Sequence, residues 1–485
     1  MHKNHRLSLG IEGLDEVLDG GLPTGQAYLV RGGPGCGKTT LGWHFLTNDL
    51  EDGAPRLLIT LGESLEQLRR NGAASGFPVD AVDVLDLSPD AEFFVKNQGY
   101  DIFAAAQVEQ TPLTDRIVER VSALQPERVF IDSMTQLRYL SNDAYQFRQQ
   151  AVGFLRFLIG AGATVLFTSE GSQEAPDEDL QFVSDGIITL QMQDQGRCVQ
   201  VTKLRGSSFR KGCHAMRIGD RGIVVFPQLI ASDNPEVYRV PYLCPAGIPE
   251  IDELLNGGIE SGTVTIISGP SGVGKTTLGL QFIKEAAGRG DRSVVYLFEE
   301  AVDTLLNRCE GINMPVRAMV ERGTLKVVKV DPLLYSPDEF ANQVRLEVEK
   351  ADTQIIMIDS VLGYKLSFQA DDLIRNIHTL CQYLKGRGVT TLLTNEIESI
   401  TGDFKATELG VSYLADNIIF LRYLEIRGQM RRAIGVLKKR LSDFEKTLRE
   451  FEISRYGIKV GRPLTQLRGI LSGVPEFIKP RDDEP

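Results

Sequence analysis

GIEGLDEVLDGGLPTGQAYLVRGGPGCGKTT, residues 10–40, returns as GIPEIDELLNGGIESGTVTIISGPSGVGKTT at residues 247–277, with 14 of the 31 positions identical. Both stretches end in G-x-x-x-x-G-K-T, as GGPGCGKT from Gly32 to Thr39 and GPSGVGKT from Gly269 to Thr276. In each, an apolar β-rich run precedes the glycines and a helical pattern follows, which is the context that makes this motif a phosphate-binding loop. The glycines let the backbone curl until its N–H groups face a phosphate, and the helix N-terminus adds positive potential. By that logic Lys38 and Lys275 reach the terminal phosphates, and Thr39 and Thr276 ligate magnesium. Gly35, Cys36, Gly37 and Thr40, with Ser271, Gly272, Val273, Gly274 and Thr277, complete the two nucleotide-binding loops.

The repeat extends well beyond the loop. Asp132 ends RVFID and Asp359 ends IIMID, and VTKLRG (Lys203, Arg205) is answered by VLKKR (Lys438, Arg440). One fold is therefore written twice, and each copy is long enough to bury its own core. Domains are expected at 1–232 and 247–470, with residues 233–246 as linker where prolines punctuate ASDNPEVYRVPYLCPAG, and 471–485 as a short tail. Within each half, runs of Val, Ile and Leu alternate with helical patterns: QAYLV, RLLIT, RVFID, ATVLFTS and GIITL, then TVTIIS, SVVYLF, IIMID, VTTLLT and NIIFL. Such runs lack polar alternation, as parallel strands covered on both faces do. The fold class is α/β, two tandem P-loop domains, each a mainly parallel doubly wound sheet.

Bulk properties narrow the function. A chain of 485 residues with 42% hydrophobic and 24% charged residues is globular, and a net charge of -12 argues against nucleic acid as main partner. The only concentrated basic stretch is RGQMRRAIGVLKKR. Residues Ala151–Ser169 are the most membrane-like, yet Arg156 and the Gly160/Gly162 break divide them into a helix and a strand, so no membrane span is expected. Six scattered cysteines without a C-x-x-C pair indicate neither a zinc site nor a disulfide framework and suit a reducing cytoplasm.

Asp132 and Asp359 stand at strand ends where a carboxylate holds the magnesium shell. The competing use of such an Asp is to cap the helix that follows. The strand after each phosphate loop ends in LLITLGES and VVYLFEEA, which supplies Glu63 in the first half and both Glu299 and Glu300 in the second. Acids there orient or deprotonate the nucleophile that attacks the γ-phosphate. The i, i+2 spacing of Lys203 with Arg205 and of Lys438 with Arg440 puts each pair on one strand face, able to converge on an anion.

Taken together, these residues resemble the KaiC family of RecA-like ATPases. The resemblance covers nearly the whole chain, through the tandem order, the G-I-x-x-x-D-E-x-L-x-G-G-x-x-x-G lead-in and the run LRYLEIRGQMRRAIGVLKKR. It implies ATP and Mg2+ as cofactors and a homohexameric double ring with nucleotide at the subunit boundaries. Lys203, Leu204, Arg205, Ser207 and Asp220, and Lys438, Lys439 and Arg440, would contact ATP there. It further implies slow hydrolysis in the first ring and serine autokinase activity in the second, with Glu299 as base and magnesium neighbour. Clock-like or stress signalling would be the setting, with a KaiB-like or other signalling protein as partner. The chain also departs from the family. The acceptor pair falls on Ser412 and Tyr413, which leaves Ser412 as the expected phosphorylation site with Thr407 as a nearby hydroxyl. Gly62 replaces one acid of the first half, and Phe209 and Phe444 stand where histidines are expected. The tail IKPRDDEP offers little to a KaiA-type activator. Two competing readings are a RecA- or RadA-type DNA-dependent ATPase and a nucleotide-gated ring scaffold without kinase output.

Overall fold

The computed structural model describes residues 6–50, 53–88, 110–139, 143–171, 176–193, 196–230, 241–331, 335–368, 373–397, 411–470 and 475–477. The chain divides into two compact units, Met1–Gln228 and Leu229–Pro485.

In the first unit, nine strands form one sheet: β1 (Ala27–Arg31), β2 (Arg56–Thr60), β3 (Asp83–Asp86), β4 (Arg128–Asp132), β5 (Thr164–Ser169), β6 (Gly186–Gln193), β7 (Gly196–Leu204), β8 (His214–Gly219) and β9 (Gly222–Phe226). Their order is β9-β8-β7-β6-β1-β5-β4-β2-β3. Strands β3 through β6 in that order are parallel, and β7, β8 and β9 add an antiparallel extension. Helices α1 (Lys38–Thr47), α2 (Leu65–Ala74), α3 (Gln110–Leu124), α4 (Met134–Tyr139), α5 (Ala144–Gly160) and α6 (Glu178–Val183) connect the parallel strands.

Alternate residues of each parallel strand serve opposite cores. Leu58 and Phe130 pack with Leu41 and Phe45 of α1, while Leu57, Ile59, Val129 and Ile131 pack with Phe147, Leu155 and Leu158 of α5. Both faces of the sheet are covered, which is why the strands read as unbroken apolar runs. The membrane-like stretch resolves into the end of α5 and all of β5, and no helix among the described residues is long and apolar enough to cross a membrane.

The second unit repeats the plan with β10 (Val264–Gly269), β11 (Ser293–Leu297), β12 (Leu325–Lys329), β13 (Ile355–Asp359), β14 (Thr390–Glu396), β15 (Asn417–Ile426), β16 (Gln429–Lys439), β17 (Arg449–Ser454) and β18 (Gly457–Pro463). Its order, β12-β11-β13-β14-β10-β15-β16-β17-β18, is that of the first sheet read from the other edge. Helix α7 (Lys275–Gly288) follows β10, and α8 (Val302–Glu310) follows β11. In both units the central strand leads into the phosphate loop, and parallel neighbours end level with it, so their carboxyl ends gather around one crevice. Each unit is a RecA-like α/β domain.

One expectation is corrected. Cys198 and Cys213 form a disulfide, although the cysteine spacing indicated none. The reason is register: β7 and β8 are antiparallel with Cys198 opposite Ala215, which brings Cys213, just before β8, diagonally across from Cys198 with their Cα atoms 5.8 Å apart. The remaining four cysteines are free and buried.

Candidate nucleotide sites

Each phosphate loop turns into its helix through a left-handed glycine, Gly37 at φ 100° and Gly274 at φ 114°. A β-carbon on Gly37 would lie 2.6 Å from Ile218, and one on Gly274 would lie 2.5 Å from Ile453. Both positions therefore need glycine on two counts, backbone angle and space. Lys38 Nζ donates to the carbonyls of Gly32 and Gly33 at 2.8 and 3.0 Å, and Lys275 Nζ to those of Gly269 and Pro270 at 2.9 Å each. Lys275 is buried, and desolvation pulls its pKa down despite the neighbouring Glu396, Asp359 and Glu299 carboxylates.

Thr39 Oγ1 donates to Asp132 Oδ2 at 2.7 Å, and Thr276 Oγ1 to Asp359 Oδ2 at the same distance. The second oxygen of each Asp accepts from a threonine at the end of the strand between them, Thr168 at 2.6 Å in the first domain and Thr394 in the second. Helix capping falls instead to Ser360, whose Oγ accepts from the Gly363 N–H at 3.0 Å, leaving Asp359 turned toward Thr276. A hydroxyl beside a carboxylate is a hard oxygen donor set of the kind that suits Mg2+. No cluster of three or more His, Cys, Asp or Glu able to hold a metal occurs among the described residues, so a magnesium here would draw most of its shell from phosphates and water.

The acids differ between the domains. Glu299 Oε1 accepts from Ser360 Oγ at 2.6 Å, and Glu300 pairs with Arg308 of α8 at 2.7 Å. Both acids line a cleft of 330 Å³ with Lys275, Thr276, Asp359, Glu396 and Arg432. In the first domain Gly62 stands where Glu299 does and has no side chain to offer Ser133. Glu63 remains, and burial, helped by the nearby Asp132 charge, raises its pKa.

The cations of the third repeated element lie at the far end of β7 and β16. Lys203 Nζ donates to the Gln181 carbonyl at 2.8 Å, and Arg205 lies 3.3 Å from Asp185. Lys438 Nζ donates to the carbonyls of Ser412 and Ala415 at 3.2 and 2.7 Å, and Arg440 lies 3.5 Å from Asp416. Burial, then the neighbouring arginine, lowers the pKa of both lysines. Arg205 and Arg440 keep 59% and 49% side-chain exposure, so both still face outward.

Cys36, Val273 and Leu204 are buried, so they can offer a nucleotide only their backbone. Lys439 points away from Lys438 into its own domain, where its buried ammonium meets the Leu255 carbonyl and lies 3.1 Å from Glu260. Ser207 donates to the Ser208 carbonyl at 2.9 Å, and Asp220 is exposed in the turn after β8. Ser412 is half-buried in a single turn, Val411–Tyr413, whose Tyr413 is exposed with its ring 5.8 Å from His378. Thr407 lies outside the described residues. Sequence reasoning passed over Thr168, Thr394, Glu396 and Arg308. The first three carried a signal, because FTSE and LTNE recur at matching strand ends; Glu396 lies 3.8 Å from Lys275.

The family model for the KaiC ATPase matches residues 7–230 and again 244–465. The chain is 28% identical over 496 aligned positions to the circadian clock oscillator protein KaiC of Prochlorococcus marinus (strain MIT 9313), covering 99% of this chain and 97% of that protein. It is 30% identical over 485 positions to KaiC of Synechococcus elongatus, covering 96% and 91%. To the circadian clock protein KaiC3 of Synechocystis it is 27% identical over 488 positions, covering 97% and 95%. With both halves matched and the likeness running nearly end to end, this protein belongs to the KaiC family of ATPases.

Proposed function

We propose that the protein is a homohexameric, Mg2+-dependent ATPase in its first domain and a serine autokinase in its second, with the phosphorylation state of Ser412 as its signalling output. The observation that carries this reading is the pairing of Glu299 with Ser360 beside the Thr276–Asp359 contact. That pairing holds a carboxylate in the cleft beside Lys275 and Thr276, which supports Glu299 as the proton acceptor, and the first domain has Gly62 in its place.

Thr39 with Asp132, and Thr276 with Asp359, would hold the magnesium, which supplies neutralisation of phosphate charge. In the second domain Lys275 grips the terminal phosphates, and Arg308 keeps Glu300 at the cleft wall. The Ser412 hydroxyl of a neighbouring copy attacks the γ-phosphorus, its proton passes to Glu299, and the bond to the β-phosphate oxygen breaks to release ADP. Lys438 and Arg440 sit beside Ser412 in the chain's own fold, which supports a role in presenting that segment together with the cations. The relatives named for the circadian clock support a clock-like or stress-signalling setting, in the cytoplasm, with a KaiB-like or other small signalling protein reading the state.

Incubation of wild type, Ser412→Ala and Glu299→Gln with Mg-ATP, followed by phosphopeptide mapping, tests the assignment. Phosphate on Ser412 in the wild type, lost in Glu299→Gln, is expected. The replacement of the second acceptor by Tyr413 favours one alternative, a nucleotide-gated ring without kinase output. Sedimentation showing ATP-dependent assembly with an unphosphorylated Ser412 would decide for it.

A further inference from the structure

The first domain contains a chain of polar contacts that leads from its phosphate loop to Lys203, the half-buried lysine of the third repeated element. Arg31 is the last residue of β1 and directly precedes Gly32 and Gly33, whose carbonyls hold Lys38. Its guanidinium makes a two-pronged pair with Asp177, Nε to Oδ2 at 2.9 Å and a terminal nitrogen to Oδ1 at 2.8 Å. Such a fork fixes angle as well as distance. Asp177 is 2% exposed and sits at the N-cap position of α6. A carboxylate so buried follows its cation, because parting from it would strand a charge out of water. The chain also closes tightly over the pair: a β-carbon on Gly171 would stand 3.0 Å from both Arg31 and Asp177.

A second arginine grips the same place. Arg138, on the helix α4 that begins two residues after Asp132, donates to the Pro176 carbonyl and lies 4.0 Å from Asp179. The two chain segments that would meet a nucleotide's phosphate end, the loop after β1 and the turn after β4, are thereby tied to the start of α6. From Asp177 the contacts run on. The Gln181 side-chain amide donates to Asp177 Oδ1 at 2.8 Å, and the Gln181 carbonyl accepts from Lys203 Nζ at 2.8 Å.

A phosphate that draws Lys38 away would take the donor from the Gly32 and Gly33 carbonyls, which follow Arg31 directly in the chain. We propose that Arg31 and Asp177 are positioning residues that convey nucleotide occupancy of the first phosphate loop to α6 and, through Gln181, set the position of Lys203. Whether Lys203 stays on the Gln181 carbonyl or is released toward a neighbouring copy then depends on whether that same copy holds ATP. The second domain is built otherwise: Ser268 takes the place of Arg31 and accepts from Asn395 Nδ2 at 3.0 Å. The Arg31 fork therefore has no counterpart at that position of the second domain. The coupling rests on nucleotide binding at Lys38, while the ring is needed only for its consequence.

Hydrogen exchange of the α6 segment in the full chain, with and without a non-hydrolysable ATP analogue, tests it, with sedimentation run on the same samples. Nucleotide is expected to change α6 exchange about fivefold in wild type. In Arg31→Met and Asp177→Asn that response disappears while the analogue still binds the first site within about threefold of wild type. Arg31→Lys keeps the charge without the fork, folds with the least disturbance, and is expected to lose at least about half of the response. An α6 response that is absent in wild type with analogue bound, or undiminished in Arg31→Lys or Arg31→Met, overturns the relay. A response that behaves as expected in a chain that never assembles overturns the ring instead.

Discussion

The two candidate nucleotide sites share their central contacts and differ in the side chains around them. Lysine, threonine, aspartate and second threonine make the same contacts in both, down to the 2.7 Å bond between Thr39 and Asp132 and between Thr276 and Asp359. Around that shared centre the first domain has Gly62, Arg31 and Gln181, and the second has Glu299, Ser268 and Ser412. Gln181 and Ser412 are counterparts, since each lends its carbonyl to the lysine of its own domain, Lys203 or Lys438. Binding of phosphate constrains the centre too tightly to vary. On the proposed function, chemistry would be set one layer out, by the acid at Glu299 and by the hydroxyl that Ser412 adds to the segment beside the lysine.

That comparison can be broken most sharply at Glu299. Glu299→Gln is expected to lower labelling of Ser412 about a thousandfold while nucleotide still binds, as removal of a proton acceptor does; mapping of phosphopeptides over time checks it. The shared grip is tested by Lys38→Ala and Lys275→Ala. Each is expected to weaken nucleotide about a hundredfold in its own half and to leave the other half intact, given the strength of charged hydrogen bonds to phosphate. Titration with a fluorescent analogue would then count one site per chain in place of two. Loss of both sites from either single change in a folded protein would refute their independence.

A smaller effect is expected from building the missing acid into the first domain. The nearest atoms to a β-carbon on Gly62 are those of Gln136 at 3.7 Å, so a side chain fits. Gly62→Glu, in a Lys275→Ala background, is expected to raise ATP hydrolysis about tenfold. Smallest of all is the effect of pH on the unmodified first domain. Burial and Asp132 hold the proton on Glu63 to higher pH than in an unfolded chain, so its basic form appears late as pH rises. Hydrolysis in the Lys275→Ala protein should lose activity on the acid side above the ordinary carboxylate range, and Glu63→Gln should remove that limb. Stability runs the other way. The folded state binds this proton more tightly, so the contribution of Glu63 falls as pH rises from the ordinary carboxylate value through the raised one.

Much of this was legible before any coordinates. The five apolar runs of each half fall on β1, β2, β4, β5 and β6 and on their counterparts, because strands buried on both faces need uninterrupted Val, Ile and Leu. The edge strands Asp83–Asp86 and Leu325–Lys329 were not, since DVLD and LKVVK are short and half polar, and only pairing with a neighbour makes them strands. The phosphate loops follow from spacing alone. Arg308 does not, because its use depends on a fold of α8 that brings it back to Glu300, and neither does Arg31, whose partner Asp177 lies 146 residues away. The disulfide escaped for the same reason: a cysteine pair without a motif is visible only once two strands are in register.

The antiparallel extension is also a ruler. Arg197 on β7 donates to the Gly35 carbonyl of its own phosphate loop at 3.2 Å, and Lys203 stands six residues farther along the same strand. Arg432 lines the second cleft, and Lys438 follows it by the same six residues on β16. Both strands carry a one-residue bulge in that interval, at Thr202 and at Leu437, so each domain holds its own phosphate site and its lysine at the same separation, a little under about 20 Å. Copies joined through those cations would be spaced by that length, and the two halves of every copy would call for the same circumference. Duplication thus delivered two gauges already cut to one size, and a residue inserted into either strand would put them out of step.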